Sequence, residues 1–355
     1  MIGPDSVMFL NVTGSVDWND QSRDRLWLYN LHYFDDLTAR GFEERRAWHE
    51  SLVHRWILEN RPGVGAGWEP YPTSLRIANW IKWTLASDTL ADQQVLESMA
   101  TQVRWLGKRM ETHLLGNHLW ANAKALVAAG LFFDGAEADA WRDRGLGLLR
   151  AEIDEQILPD GGHFERSPMY HAIVLEDILD LAQLSDIFPD VLPLPFVAQL
   201  KSVATRMLRW LRVMSHPDGL VSFFNDAAFG VAAPWSVLAD QAQGLAIDVD
   251  REALQPLEAL PDSGYVRLEN ERATVLCDVA PVGPDYQPAH AHADTLSFEL
   301  SVDGRRVVVN GGTSTYAPGP ERMRQRGTAA HSTVEIDQAN SSDVWGGFRV
   351  ARRAR

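Results

Sequence analysis

Two changes of texture along the chain predict an α+β protein, with a helical first part and a mainly β second part. From about residue 25 to 245, apolar residues recur every three or four positions, as in HAIVLEDILDLAQL and FVAQLKSVATRMLRWLRVM, the repeat of one face of an α-helix. After about residue 262 the period shortens to two in YVRLENERATVLCDVA, LSFELSVDGRRVVVNGG and HSTVEID, the repeat of a half-buried strand. A third observation sets the scale: 355 residues at 45% hydrophobic composition can bury one large core or two ordinary ones.

The segment 1–24 has neither the basic start nor the apolar run of a secretory signal, so the expected location is cytoplasmic, or periplasmic if the N-terminus is trimmed. Residues 25–250 form the expected helical domain. Its joints NRPGVGAGWEPYP, LPDGGHFERSP and SHPDGLVSFFND are rich in turn formers and long enough to carry function. Residues 263–355 form the expected β domain, with Asp303-Gly304 as a hairpin turn. The chain stops at FRVARRAR without a turn or cap, which predicts a partial β domain with an open edge at Arg355.

The net charge of −15 argues against wrapping nucleic acid, whose affinity comes from Lys and Arg on phosphates, and a polyanionic ligand would need a locally basic site. No apolar run reaches the roughly 18 residues of a membrane span. The lone Cys277 excludes an intrachain disulfide and a cysteine-based zinc knuckle. None of this fixes an oligomeric state.

Three clusters carry chemistry. In LLGNHLWANAKAL, Asn117 and His118 follow Gly116 at a helix start, where unpaired N–H groups and the positive dipole end favour an anion. The plain alternative is Asn117 as N-cap and His118 as a satisfied histidine. Asn122, one turn on, is spaced to hold the His118 ring in one tautomer. In DGGHFERSPMYH, a Gly-rich turn delivers His163, Glu165, Arg166, Tyr170 and His171 to a helix start. A cap at Ser167 accounts for the serine and proline but not for the aromatic and basic residues, so His163, Glu165 and Arg166 are assigned to substrate binding. A phenol beside a cation serves as both acid and base, which singles out Tyr170. In PDYQPAHAHADTLSFEL, His290, His292 and Asp294 would share one face of an extended strand, as a metal site or a buried catalytic edge, with His331 as a remote ligand.

With WLYNLHYFDDL, EPYPTSLRIANWIKW, VVVNGGTSTY and RGTAAHSTVEID, these stretches make the chain similar to the heparinase II/III family of polysaccharide lyases. The likeness is greatest to bacterial members with an alginate-lyase-like helical domain before a heparinase-type β domain. The resemblance implies an (α/α) toroid, an antiparallel β-sandwich (apparently truncated here), a groove between them, and β-elimination at uronic acids of an acidic polysaccharide or oligosaccharide such as a glycosaminoglycan. By the same resemblance Asn117 neutralises the uronate carboxylate, and His118 shares that binding or acts as a base. Tyr170 protonates the leaving oxygen and can abstract the C5 proton, and His290 is a fourth catalytic residue. Tyr71 and Arg76 resemble groove residues, the alternatives being a packing tyrosine and a helix-side salt bridge. His292 and His331 match positions that hold a structural zinc. The usual third ligand is an aspartate where this chain has Asn310, a poorer zinc donor, which brings in Asp294 as a substitute.

Three other readings compete. A uronate C5-epimerase shares the proton abstraction but returns the proton to C5. A glycoside hydrolase needs two carboxylates across a groove, for which Glu165 and Asp226 are the candidates. A non-catalytic glycan-binding factor of polysaccharide biosynthesis needs no turnover at all.

Overall fold

The computed structural model describes residues 1–86 and 92–354. They form two compact units, Met1–Arg150 and Ala151–Arg355. Arg355 itself, and with it the open edge expected there, lies outside the described residues. The elements in order are β1 (Ser6–Phe9), β2 (Val12–Ser15), α1 (Arg25–Tyr33), α2 (Arg46–Glu59), α3 (Pro70–Ala86), α4 (Gln93–Leu106), α5 (Gly116–Phe132) and α6 (Ala136–Gln156). Then come α7 (Pro168–Ile187), α8 (Leu194–Val213), α9 (Trp235–Gly244), β3 (Leu257–Leu260), β4 (Tyr265–Glu269), β5 (Ala273–Asp278), β6 (Phe298–Val302), β7 (Arg305–Val308), α10 (Pro320–Arg326), β8 (Asp343–Trp345) and β9 (Arg349–Ala351). The protein is α+β, with every paired strand among these antiparallel.

The first unit is built on α3 and α5. Helix α5 is buried on all sides from Leu119 to Leu131, the mark of a central helix rather than a surface one. Glycines let α6 approach it. A Cβ at Gly145 would stand 2.7 Å from the Ala123 carbonyl oxygen, and one at Gly130 would stand 2.6 Å from that of Ala138. Trp56, Trp80 and Trp120 fill the core and reach no solvent. The β1–β2 hairpin falls in the segment 1–24, where no element was expected. Leu10 and Asn11 at its turn both take positive φ, and Trp27 of α1 donates to the Val12 carbonyl at 3.0 Å, fastening the hairpin to the helices.

In the second unit α7 packs on α8, and α8 buries the stripe Phe196, Leu200, Val203, Met207, Leu211 at three- and four-residue spacing. Strands β3 to β7 make one meander sheet in chain order. Its inner residues Leu260, Tyr265 and Leu276 close against Trp210, Val213 and Met214 at the end of α8. Asp303 and Gly304 take positive φ and turn β6 into β7, as their sequence predicts.

Elsewhere the second unit departs from its sequence pattern. HSTVEID is not a strand; it runs beside the start of β6, with the Phe298 N–H donating to the Ser332 carbonyl and Thr333 Oγ1 to that of Thr295. Asp337 and Gln338 then turn it away at positive φ. Residues 290–297 are likewise loop, so His290, His292 and Asp294 do not share a strand face. Helix α10 and β8 had no counterpart in the sequence reading, whereas β9 falls in the strand-like end FRVARRAR.

Leu276→Ala should cost about 2–5 kcal/mol, because β5 cannot collapse into the space left against Trp210 and Phe224. Denaturant unfolding followed by tryptophan fluorescence will measure the loss.

Candidate active site

The first unit carries one cluster at the start of α5. Leu115 at φ 60°, ψ −156° and Gly116 at φ 56° turn the chain into the helix, so the cap position is Leu115 and Asn117 is already inside the first turn, not the N-cap. A leucine in that region is strained, a cost that folded structures concentrate at functional sites. His118 Nδ1 lies 3.0 Å from Glu111 Oε1, which leaves Nε2 to face outward on a side chain that is 32% exposed. Asn122 does not touch that ring. Its Nδ2 donates to Glu111 Oε2 at 3.2 Å and to Ser74 at 3.0 Å, and its Oδ1 accepts the Glu111 N–H at 2.8 Å, so it fixes the carboxylate that fixes the histidine. Tyr71 lies against the His118 ring with centroids 4.5 Å apart. The structure therefore brings Tyr71 and His118 together, with the buried Asn117 next to His118 in the chain.

Arg76 is elsewhere. Its guanidinium is wholly buried over the Trp56 ring at 3.8 Å and donates to Gln102 Oε1, the His32 carbonyl and Thr73 Oγ1. It binds neither a uronate nor a salt-bridge carboxylate: with neutral acceptors satisfying it inside the core, it is a packing residue.

The second unit carries the other cluster. Ser167 caps α7 by accepting the Tyr170 N–H at 3.2 Å, with Pro168 at the first helical position. This sets Tyr170 in the first turn, where its ring stacks on His290 at 3.9 Å and 15°. Its hydroxyl is 2.9 Å from that of Tyr316. His290 Nδ1 donates to Glu165 Oε2. Burial alone would push the imidazole pKa down, but the charge of Glu165 and this bond outweigh it and raise the value, while the same pairing overcomes burial to lower the pKa of Glu165. The phenol of Tyr170 thus lies flat against an imidazole biased toward its cation.

A third group of side chains lies alongside. Asp226, fully buried, accepts from His292 Nε2 at 2.8 Å, from Thr313 and from both guanidinium arms of Arg322. Burial raises its pKa, but His292 and Arg322 more than reverse that. Both Glu165 and Asp226 are therefore held ionised, which leaves the hydrolase reading without its protonated general acid.

His292, Asp294 and His331 bring one donor atom each within 4.8 Å of one another. His292 gives its Nε2 proton to Asp226. His331 Nδ1 lies 3.3 Å from Asn310 Oδ1, an atom that can only accept, so that nitrogen carries the proton. Both lone pairs are then left on His292 Nδ1 and His331 Nε2, which face each other at 3.3 Å. Two nitrogens bound to one tetrahedral ion at 2.0–2.1 Å stand about 3.3 Å apart, so the donor set fits zinc. Asn310 belongs behind this set rather than in it: its Oδ1 is occupied by His331 Nδ1 and the Ser332 N–H, and Asp294 takes the place of third donor.

In the stretch DGGHFERSPMYH, His163 and His171 point inward, while the half-buried Arg166 is spent on a backbone carbonyl. His163 is fully buried, donating from Nε2 to Gln156 Oε1 at 2.9 Å, and its pKa falls to about 4 through burial. His171 accepts the His163 N–H, donates to the Met207 carbonyl and is pushed by burial to about 3. Arg166 takes φ 59°; its carbonyl accepts from Asn225 and Tyr265, and its guanidinium donates to the Pro281 carbonyl. The sequence reading missed Glu111, Asn225, Tyr316 and Arg322, although Asn225 lies in a joint singled out as functional and Tyr316 closes the stretch VVVNGGTSTY.

Models of the heparinase II/III N-terminus and of the heparinase II/III-like C-terminal region match residues 60–244 and 252–355. The chain belongs to the heparinase II/III family. Among curated relatives of this family member, the heparin-sulfate lyase of Bacteroides stercoris is 27% identical over 63% of this chain and 36% of its own length. That of Bacteroides thetaiotaomicron is 24% identical over 92% and 54%. FtsZ-localized protein C of Caulobacter vibrioides is 26% identical over 93% and 55%. The chain thus spans about a third to just over half of the length of these relatives. A crystal structure of heparinase III superposes with a TM-score of 0.74 at 19% identity, covering 92% of this chain and 58% of that one, so the two share the fold of an α toroid with a β domain. Among the described residues no helix is long and apolar enough to cross a membrane.

His163 and His171 make stability depend on pH. Unfolded histidines titrate near 6.5, above the folded values of about 4 and about 3, so the unfolded chain takes up protons first as pH falls. Their contribution is complete above pH 6.5 and is lost progressively toward about pH 3, the folded value of His171. Calorimetry should show a melting temperature that declines across that window.

Proposed function

We propose that this protein is a polysaccharide lyase acting on a uronic-acid-containing acidic polysaccharide or oligosaccharide by β-elimination. The observation that carries the reading is the Tyr170 phenol, stacked on His290 and hydrogen-bonded at its oxygen, in a family whose curated relatives include heparin-sulfate lyases. Elimination removes the C5 proton of a uronate; the C–H electron pair becomes the C4–C5 double bond, the C4–oxygen bond breaks, and a proton ends on the leaving oxygen. The C5 proton becomes acidic only when the neighbouring carboxylate is neutralised. Asn117 is given that task, with the outward Nε2 of His118 beside it. Tyr170 moves the proton, and His290 supplies a cationic neighbour.

We assign a structural zinc to His292, Asp294 and His331, where it would supply cohesion to the loop that carries His290. Asp226 and Asn310 fix the tautomers of the two histidines for this purpose.

Heparan sulfate, hyaluronan, chondroitin sulfate, alginate and glucuronan, each followed at the absorbance of the unsaturated uronate, test the reaction. Turnover is expected on at least one, with Tyr170→Phe lowering kcat by about 10²–10⁴ and Asn117→Ala by about 10²–10³. Deuterium entering C5 without any unsaturated product would mark an epimerase instead. Binding without either would favour the non-catalytic reading.

Chelation should lower the melting temperature, whereas Tyr170→Phe should leave it within about one or two degrees, because a folding ligand and a proton donor fail differently. Elemental analysis finding no stoichiometric metal would remove the zinc assignment.

A further inference from the structure

The Tyr170 oxygen has a partner that the proposed chemistry does not use. Tyr316 reaches it from the segment after β7, with the two hydroxyls 2.9 Å apart. The Tyr316 ring is fixed on two sides: it stacks on Phe348 at 6.1 Å and 11°, and the Arg322 guanidinium lies 5.1 Å from its centroid. Arg322 is itself locked by Asp226 and by the Gly347 carbonyl, so the Tyr316 hydroxyl is aimed by a rigid frame. A bond between two phenols has one donor, and the surroundings decide which.

We propose that Tyr316 is a positioning residue for Tyr170, its O–H donating to the Tyr170 oxygen and stabilising the negative charge that this oxygen carries during proton transfer. The charged and titratable groups around Tyr316 are His290, Glu165, Asp226 and Arg322, besides Tyr170 itself. Burial, with Asp226, pushes its phenol well above 10, against the opposing pull of Tyr170 and Arg322, so Tyr316 holds a proton that it can donate. Whether Tyr170 gives its proton to the leaving oxygen or takes the one from C5, its oxygen is anionic at one stage. A donor fixed at 2.9 Å meets that charge without reorganisation.

This inference rests on the lyase reading only through the role of Tyr170, and the test separates the two. In the full chain, Tyr316→Phe keeps the ring between Phe348 and Arg322 and removes the donor alone. It should lower kcat about 10- to 100-fold with KM changed less than about twofold, and move the limb of the pH–rate profile set by Tyr170 up by about one to two pH units. Tyr316→His, which keeps a ring N–H, should restore part of kcat. A purely structural role would lower the melting temperature and leave the pH limb in place. If Tyr170→Phe is inactive while Tyr316→Phe matches the parent in kcat and pH limb, the inference is overturned and the lyase reading stands.

The second measurement needs no turnover. Tyrosinate absorbance of the parent minus that of Tyr170→Phe isolates the ionisation of Tyr170, and the same difference taken in the Tyr316→Phe background should lie about one to two pH units higher. Coincident titrations would overturn the inference whatever the substrate.

Discussion

The second unit depends on one buried charge. The Asp226 carboxylate collects His292, Thr313 and Arg322, while its backbone N–H donates to the His290 carbonyl at 3.0 Å and its carbonyl accepts from Ser167. Asn225, next to it, accepts the His292 N–H, donates to the Arg166 carbonyl and gives its own N–H to Asp294. Two adjacent residues thus join the start of α7, the loop before β6, the segment after β7 and helix α10. A buried ion pair gains little unless its remaining lone pairs are satisfied, and here they are. Losing either partner would strand the other charge among side chains that hold the proposed chemistry.

Around that pair, electrostatics divides the histidines into two kinds. His163, His171 and His331 are kept neutral by burial. His290 differs because an ionised glutamate is placed directly on its Nδ1. The same imidazole ring therefore serves as a neutral wedge, a potential metal donor or a cation, according to the groups that meet its two nitrogens. In the first unit His118 Nδ1 likewise meets a carboxylate, that of Glu111, on a partly exposed side chain.

What could be read in the sequence follows from the range of the forces involved. The helices of α7 and α8 and the strands β4 to β7 announce themselves by period, since burial of one face is a local pattern. The Ser167 cap and the Asp303-Gly304 turn are likewise local, and the motif residues Tyr170 and His290 proved to be neighbours. Asn122, expected to hold the His118 ring, holds Glu111 instead, and it is Glu111, a loop residue with no periodic signal, that meets the ring. HSTVEID alternates like a strand, yet its backbone is tied by tertiary bonds, the Ser332 N–H to Asn310 Oδ1 and the Ser332 carbonyl to the Phe298 N–H, and these override propensity. Arg76 and His163 looked like ligand-binding residues because a charge or imidazole in a sequence carries no mark of whether it faces water or a buried, hydrogen-bonded interior.

The bonds made by Asp226 span 66 positions to His292, 87 to Thr313 and 96 to Arg322. Helices form within submicroseconds from neighbouring residues, and hairpins such as β6–β7 within microseconds, but contacts of this separation must first overcome the entropy of closing long loops. Tyr170 and Tyr316, 146 positions apart, meet under the same constraint. The cluster in the second unit is therefore a late product of folding, absent from a chain whose helices and sheet have formed but whose connecting segments have not yet settled onto Asp226. Recovery of the Tyr170–Tyr316 contact during refolding would lag behind recovery of helical signal, and the interval between them measures how long the chain persists with native secondary structure and no assembled site.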